Sequence, residues 1–322
     1  MLSDVMAYYG LARDFQYVGF FENEHSRQMV KELKAAVKLG RLIAVAGVMG
    51  CGKTTTLEHI QQAMKKDKDI LISTSLTVQK QQVTLDTLMT ALFYDVATDK
   101  EFKIPKPESR ERTLRELIVK RQKPIALFID EAQDLHVKTL LGLKRLNEVI
   151  RGGGGILSIV LVGQPKLKND LRQTKMAEIG SRAIIFELEG IRSQRREYID
   201  WLLKQCLVPK TDPATVFTGE ALDMLATRLG TALQIEDHLT RALEEAYKVG
   251  QKPVKLEIVE SVLTKDLNDI EPTLLRNGYN VKTIAELLNI KPAEIRQFLS
   301  GRLDATRTQE LQNDMLKAGI PL

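Results

Sequence analysis

The stretch Gly47-Val48-Met49-Gly50-Cys51-Gly52-Lys53-Thr54 constrains this chain more than any other, because it fits the phosphate-binding pattern G-x-x-x-x-G-K-[ST] in full. An apolar run from Leu42 to Ala46 precedes it and reads as a buried strand, and Thr55 to Met64 follows as a helix. Three glycines let the backbone curl so that successive N–H groups point at one phosphate, and the helix adds its positive N-terminal end. Lys53 is placed to bridge the outer phosphates, and the Thr54 hydroxyl to ligate Mg2+. The expected nucleotide-binding set is Gly47, Val48, Met49, Gly50, Cys51, Gly52, Lys53, Thr54 and Thr55, with Cys51 as a small filler. A plain glycine turn between strand and helix would not call for the Lys-Thr pair.

The second anchor is Ile125-Ala126-Leu127-Phe128-Ile129-Asp130-Glu131, an apolar strand that ends in two carboxylates. A strand buried on both faces is continuously apolar, and its C-terminal end is where an open parallel sheet binds ligands. Asp130 is placed to hold the magnesium ion, with Thr54, and Glu131 to orient and polarise the attacking water. A further strand, Ile156 to Val162, runs into Gly163-Gln164-Pro165 and sets the Gln164 amide at a strand tip.

Strands and helices alternate through Leu188, which argues a doubly wound parallel sheet, an α/β fold. Helices are expected over 22–39, 83–96, 109–121 and 135–150, and Pro105 and Pro107 are read as forbidding helix in the connector 97–107. Residues 1–21 show little periodicity before the aromatic cluster Tyr17 to Phe21. From Arg195 strands stop and a helical lid is expected. The division is then 1–190 for the nucleotide-binding domain with its N-terminal extension, 191–267 for the lid, 268–280 for a linker and 281–322 for a small all-α domain.

That last domain reads as a helix-turn-helix, with Ile284, Ala285, Leu288, Ile290, Ile295 and Phe298 at its apolar or small positions. Asn289 replaces the usual turn glycine, and Pro292 opens the second helix. Arg296, Gln297 and Arg302 are its candidate DNA contacts, since Arg and Gln can read base edges in the major groove. A small helical domain that binds protein is the other reading, because residues 272–322 carry only seven basic against five acidic residues. Residues 100–123 carry nine basic residues against four glutamates, which makes Lys103 and Lys106 further candidates for duplex contact; the plainer reading of such a run is a solvated face.

Composition sets the outer bounds. At 322 residues with 43% hydrophobic and 28% charged residues, the chain is long enough for two soluble domains. No apolar run approaches the roughly 20 residues of a membrane helix, and residues 1–13 lack the character of a secretory signal, so no membrane partner is expected. Two cysteines, Cys51 and Cys206, suit a reducing compartment, the cytoplasm.

The phosphate loop, the Asp130-Glu131 strand, Leu161-Val162-Gly163-Gln164-Pro165, Ser181-Arg182 and Leu233-Gln234-Ile235-Glu236 stand in an order that resembles the AAA+ ATPases. Within these the chain resembles the branch containing ExeA, TniB, TnsC and the B target activator of transposing phages, over about residues 15–265. The resemblance implies ATP and Mg2+ as cofactors. It implies Gln164 as sensor 1 and Arg182 as an arginine finger that reaches a neighbouring subunit's nucleotide, with Arg172 as the fallback. It also implies a homo-oligomeric ring or helical filament on duplex DNA, a transposase partner, and hydrolysis that drives disassembly in DNA transposition. Many relatives carry a sensor 2 arginine at the start of the third lid helix, where this chain has Gly230-Thr231-Ala232-Leu233-Gln234-Ile235, and Arg241 lies two turns beyond. Two alternatives stay open: an ExeA-like ATPase of secretion or envelope assembly, and a helicase-loader-type replication ATPase.

Overall fold

The structure is a computed structural model, and it describes residues 1–74, 83–98, 105–173, 176–263 and 269–322. In chain order it begins with helices α1 (Ser3–Tyr9) and α2 (Glu24–Lys38), strand β1 (Leu42–Ala46), helix α3 (Lys53–Lys66) and strand β2 (Leu71–Thr74). Then come α4 (Leu85–Val96), α5 (Pro107–Arg121), β3 (Ile125–Ile129), α6 (Val137–Gly152) and β4 (Leu157–Gly163). Helices α7 (Pro165–Arg172) and α8 (Ala177–Gly180) lead to β5 (Ala183–Glu187). The remaining described elements are helical: α9 (Arg195–Cys206), α10 (Gly219–Arg228), α11 (Ala232–Lys248), α12 (Leu256–Val262), α13 (Ile270–Arg276), α14 (Val281–Leu288), α15 (Pro292–Leu299) and α16 (Ala305–Lys317).

The chain divides into two compact units. One comprises residues 22–48 and 56–188 and holds a five-stranded, all-parallel sheet in the order β2-β3-β4-β1-β5. β3 and β4 are buried at every residue, as strands covered on both faces must be. Helices α4 to α7 pack their apolar residues (Leu88, Leu92, Leu114, Ile118, Leu143, Leu146) into a single core with Leu127 and Ile159 of the sheet. The register sets Ala46 of β1 beside Gly163 of β4, and Ile129 of β3 beside Leu161 of β4. The C-terminal ends of these three strands therefore share one edge of the sheet.

The other unit comprises residues 1–21, 49–55 and 189–322. Its larger core joins α9, α10, α11 and α12 to α1 through Leu202, Leu222, Leu239, Val259, Val5 and Tyr9. A second core holds α13 to α16 together through Leu274, Tyr279, Ile284, Ile295, Phe298, Leu311 and Met315.

Several expectations change on this evidence. Pro107 does not exclude a helix; it opens α5 at the first helical position, where its missing N–H has no partner to lose. Residues 1–21 hold a helix after all: α1 fixes Tyr9, whose hydroxyl donates to the Gln251 carbonyl at 2.7 Å. The stretch read as linker, 268–280, contains α13, whose Leu274 is buried. α16, in a stretch with no expected element, buries Leu311 and Met315 at the i, i+4 spacing of one helix face. Asn289 takes the left-handed backbone (φ 55°) between α14 and α15 that was read for it.

Candidate functional site

The phosphate loop is continuous with both units. At its start Gly47 donates its N–H to the Gly163 carbonyl at 3.0 Å, which ties the loop to the end of β4. Farther on, Gly50 and Gly52 take positive φ (82° and 91°), the backbone turns that the three-glycine pattern calls for. A Cβ on Gly50 would press on Leu233 and Thr231, and the Gly50 carbonyl accepts the Leu233 N–H at 3.1 Å. The lid thus grips the loop by backbone at the very place where a sensor 2 arginine is absent from the sequence. Arg241 is paired with Asp237 at 3.0 Å on its own helix.

α3 begins at Lys53, so the loop's last residues stand at a helix N-terminus. Lys53 is buried and Thr54 exposed. Thr55 donates its hydroxyl to the Gly52 carbonyl at 3.1 Å and so braces the loop. The Cys51 thiol is buried, and burial pushes its pKa up against the opposing pull of Lys53, so it is a filler rather than a nucleophile.

The carboxylate half sits in the sheet unit. Asp130 follows β3, and one of its carboxylate oxygens accepts the Glu131 N–H at 2.8 Å. Glu131 is a non-glycine residue in the left-handed region, φ 51° and ψ 41°, a conformation that costs about 1 to 3 kcal/mol and persists only where surroundings enforce it. Beside it stands Gln133, a site residue that the sequence alone does not single out. Its Nε2 donates to Glu131 Oε2 at 2.6 Å, and its Oε1 accepts the Gln164 N–H at 3.1 Å. One side-chain amide therefore bridges the end of β3 to the end of β4. Gly163 makes room for it, since a Cβ there would collide with Gln133 Oε1. Gln164 caps α7 by its backbone alone, without a side-chain capping bond.

Other expected site residues are placed less directly. Arg182 is 64% exposed and ion-paired with Glu148 of α6, and Arg172 is exposed at the end of α7. Lys103 lies outside the described residues, and Lys106 is exposed just before α5. The rest of that basic stretch is largely committed within the chain: Arg110 pairs with Asp86 at 3.0 Å, Arg112 with Glu116, Arg121 Nε donates to the Val96 carbonyl and Lys123 Nζ to the Lys68 carbonyl. Arg296, Gln297 and Arg302 are exposed on or just past α15, whereas Glu294 on the same helix is half-buried and pairs with Arg307 at 2.7 Å. Among the described residues no helix is long and apolar enough to cross a membrane.

A parallel sheet flanked by helices, with a phosphate loop after β1 and an Asp-Glu pair after β3, defines a P-loop nucleotide-binding protein of α/β class. More particularly, the family model of an AAA domain matches residues 37–171. In sequence the chain is 24% identical over 255 residues, 69% of its length, to the ATP-binding protein Uup of Escherichia coli, of which it spans only 39%. Its fold is similar to the Aeropyrum pernix ORC2 protein in ADPNP-ADP complexes, with TM-score 0.60 and 15% identity over 95% of this chain and 85% of that one. The Aeropyrum pernix ORC1 protein in complex with DNA gives TM-score 0.51 and 15% identity, over 97% and 87% of the two chains. The Thermotoga maritima RuvB Holliday junction branch migration motor gives TM-score 0.50 and 18% identity, over 93% and 89%. At such identities these likenesses speak for the fold alone.

Proposed function

We propose that this chain hydrolyses ATP with Mg2+ and assembles on duplex DNA as a ring or helical filament. In the branch its motifs resemble, it would do so to select a transposition target and to recruit or stimulate a transposase in the cytoplasm. The observation that carries the hydrolytic reading is Glu131, whose backbone takes the left-handed region and whose carboxylate accepts the Gln133 amide at the C-terminal edge of the sheet. The phosphate loop leaves that same edge at Gly47.

In this reading the loop N–H groups and Lys53 bind and orient the ATP phosphates. Thr54 and Asp130 present a hydroxyl and a carboxylate, the hard oxygen donors that Mg2+ requires, and the ion would add positive charge against the phosphates. Glu131 accepts a proton from water as the water oxygen bonds to the γ-phosphorus. The bond from that phosphorus to the bridging oxygen breaks, and ADP and phosphate leave. Gln164, with its amide not spent on capping, orients the water or the outer phosphate from the end of β4.

Gln133 would then act as a positioning residue. Gln133→Ala removes one donor to the Glu131 carboxylate, and Gly163→Ala pushes the Gln133 amide away, so both should slow hydrolysis by up to about 10²-fold, the cost of a displacement near 1 Å. ATP affinity should stay within twofold of the parent, because neither residue is a loop donor. Phosphate release and nucleotide binding, measured side by side, decide it; parental turnover in both variants would rule out the bridging role.

The DNA part rests on less charge than the sequence promised, since Arg110, Arg112, Arg121 and Lys123 are engaged within the chain. Each phosphate neutralised adds about 0.9 to the salt slope of duplex binding, and an oligomer repeats its contacts along the helix. Charge reversal at Lys103 and Lys106 should lower ATP-stimulated binding for all sequences alike, and truncation after Asp269 should leave most of it. Loss of binding on truncation, with no effect of the reversal, would move the DNA grip to a helix-turn-helix in 281–322 and its Arg296, Gln297 and Arg302. A replication-type ATPase is the second reading; ORC proteins share this fold over nearly the whole chain. Retention of a transposase on the ATP-bound protein would separate the first from the second.

A further inference from the structure

One phosphate-loop donor is already taken. Met49 donates its backbone N–H to the Arg276 carbonyl at 2.8 Å, and Arg276 is the last residue of α13. Carbonyls of the final helical turn have no partner farther along their own helix and form the negative end of its dipole. In α13 the Thr273 carbonyl accepts the Asn277 N–H, Leu274 accepts those of Asn277 and Tyr279 and Leu275 that of Gly278, while the Arg276 carbonyl goes to Met49. The helix end therefore offers the loop a partial negative charge and an acceptor oxygen, the two features of a phosphate oxygen. The next residue of the loop is held by the lid, through the Leu233 N–H on the Gly50 carbonyl.

We infer that the end of α13 is a latch on the phosphate loop, which ATP displaces, so that nucleotide binding frees the module built from α13 to α16. This rests on the ATP reading above. The direction follows from charge. A hydrogen bond to an ionised phosphate is roughly twice as strong as one between neutral groups, so the nucleotide wins the Met49 donor from a carbonyl. Once phosphates lie in the loop, the negative end of α13 is repelled from it as well. The module held by this contact has its own core, which includes Leu274 and Tyr279, and it can move as a body without unfolding. The Arg276 side chain turns back along its helix, with Nη2 donating to Thr273 Oγ1 at 3.2 Å. A latched loop also lowers the apparent ATP affinity in proportion to the latched fraction, and loosening the latch restores it.

The test is hydrogen exchange on the full chain, with and without saturating ATPγS. Residues 47–55 should become protected while 270–280 exchange at least about tenfold faster. Asn277→Ala, which removes the Asn277 Nδ2 bond to the Thr273 carbonyl and weakens the end of α13, should bind ATPγS about threefold more tightly. Arg276→Ala keeps the carbonyl and should bind within twofold of the parent. The latch is overturned if 47–55 gain protection and 270–280 do not change or also slow. It is overturned too if Arg276→Ala loses tenfold or more in affinity, which would make the guanidinium a phosphate ligand instead. No protection of 47–55 in the parent would mean that the loop binds no nucleotide, and would remove the ATP reading together with the latch.

Discussion

Glu131→Gln should bind ATP as the parent does and hydrolyse it about 10²- to 10⁴-fold more slowly, the range for loss of one positioned acid-base group. The exchange is conservative in shape. A glutamine at 131 still offers a carbonyl oxygen to Gln133 Nε2, so the turn after β3 and its bridge to Gln164 can stay in place. What it cannot do is accept a proton from the attacking water. Lys53→Ala should fail at a different step, because it removes a buried positive charge that the proposed function sets against the phosphates, and it should lose nucleotide affinity before any effect on turnover can be read. Measuring Kd for a fluorescent ATP analogue beside phosphate release separates the two. Hydrolysis by Glu131→Gln at the parental rate would show that Glu131 is not the base, and that its left-handed backbone and Gln133 partner serve only the turn.

The parts of this site that could be read from the chain are those in which neighbouring residues do the work. Gly50 and Gly52 take the positive φ that the local glycine pattern calls for, and the unbroken apolar run before Asp130 is the strand buried on both faces of the sheet. Gln133 could not be read in the same way. Its role depends on β4 lying next to β3, which brings the Gln164 N–H to its amide across 31 positions in sequence. A faint signal was present in Gly163, since a glycine at a strand end hints at a close approach. The helical ends were harder. α1 and α13 have seven residues each, too few for periodicity to stand out, and both are stable through packing: Val5 and Tyr9 into one core, Leu274 into another. Pro107 was misjudged because proline excludes the interior of a helix and not its first position. The basic stretch 100–123 was legible only as a count of charges. Charge counts do not reveal that Arg110 and Arg121 are committed to Asp86 and to the Val96 carbonyl.

Arg182→Ala should bind ATP yet hydrolyse it about 10³- to 10⁵-fold more slowly, if this arginine is supplied to a neighbouring subunit's nucleotide. Within one chain Arg182 is tied to Glu148, but the pair is exposed on the surface of the sheet unit, where such pairs contribute only about 0 to 1 kcal/mol. Exchanging Glu148 for a neighbour's γ-phosphate therefore costs little. The prediction is sharpest in mixtures. Alone, Glu131→Gln lacks the base at every interface and Arg182→Ala lacks the finger at every interface. Mixed, some interfaces join an intact Glu131 from one chain to an intact Arg182 from the next, and hydrolysis should return in part. At equal amounts with random assembly, roughly a quarter of interfaces carry both groups, so recovery should be a sizeable fraction of parental activity and not a trace. Glu148→Gln adds a control, because it frees Arg182 without removing it and should not slow the reaction. If both variants assemble and no mixture regains activity, Arg182 does not act across an interface, and Arg172, exposed at the end of α7, is the next residue to replace.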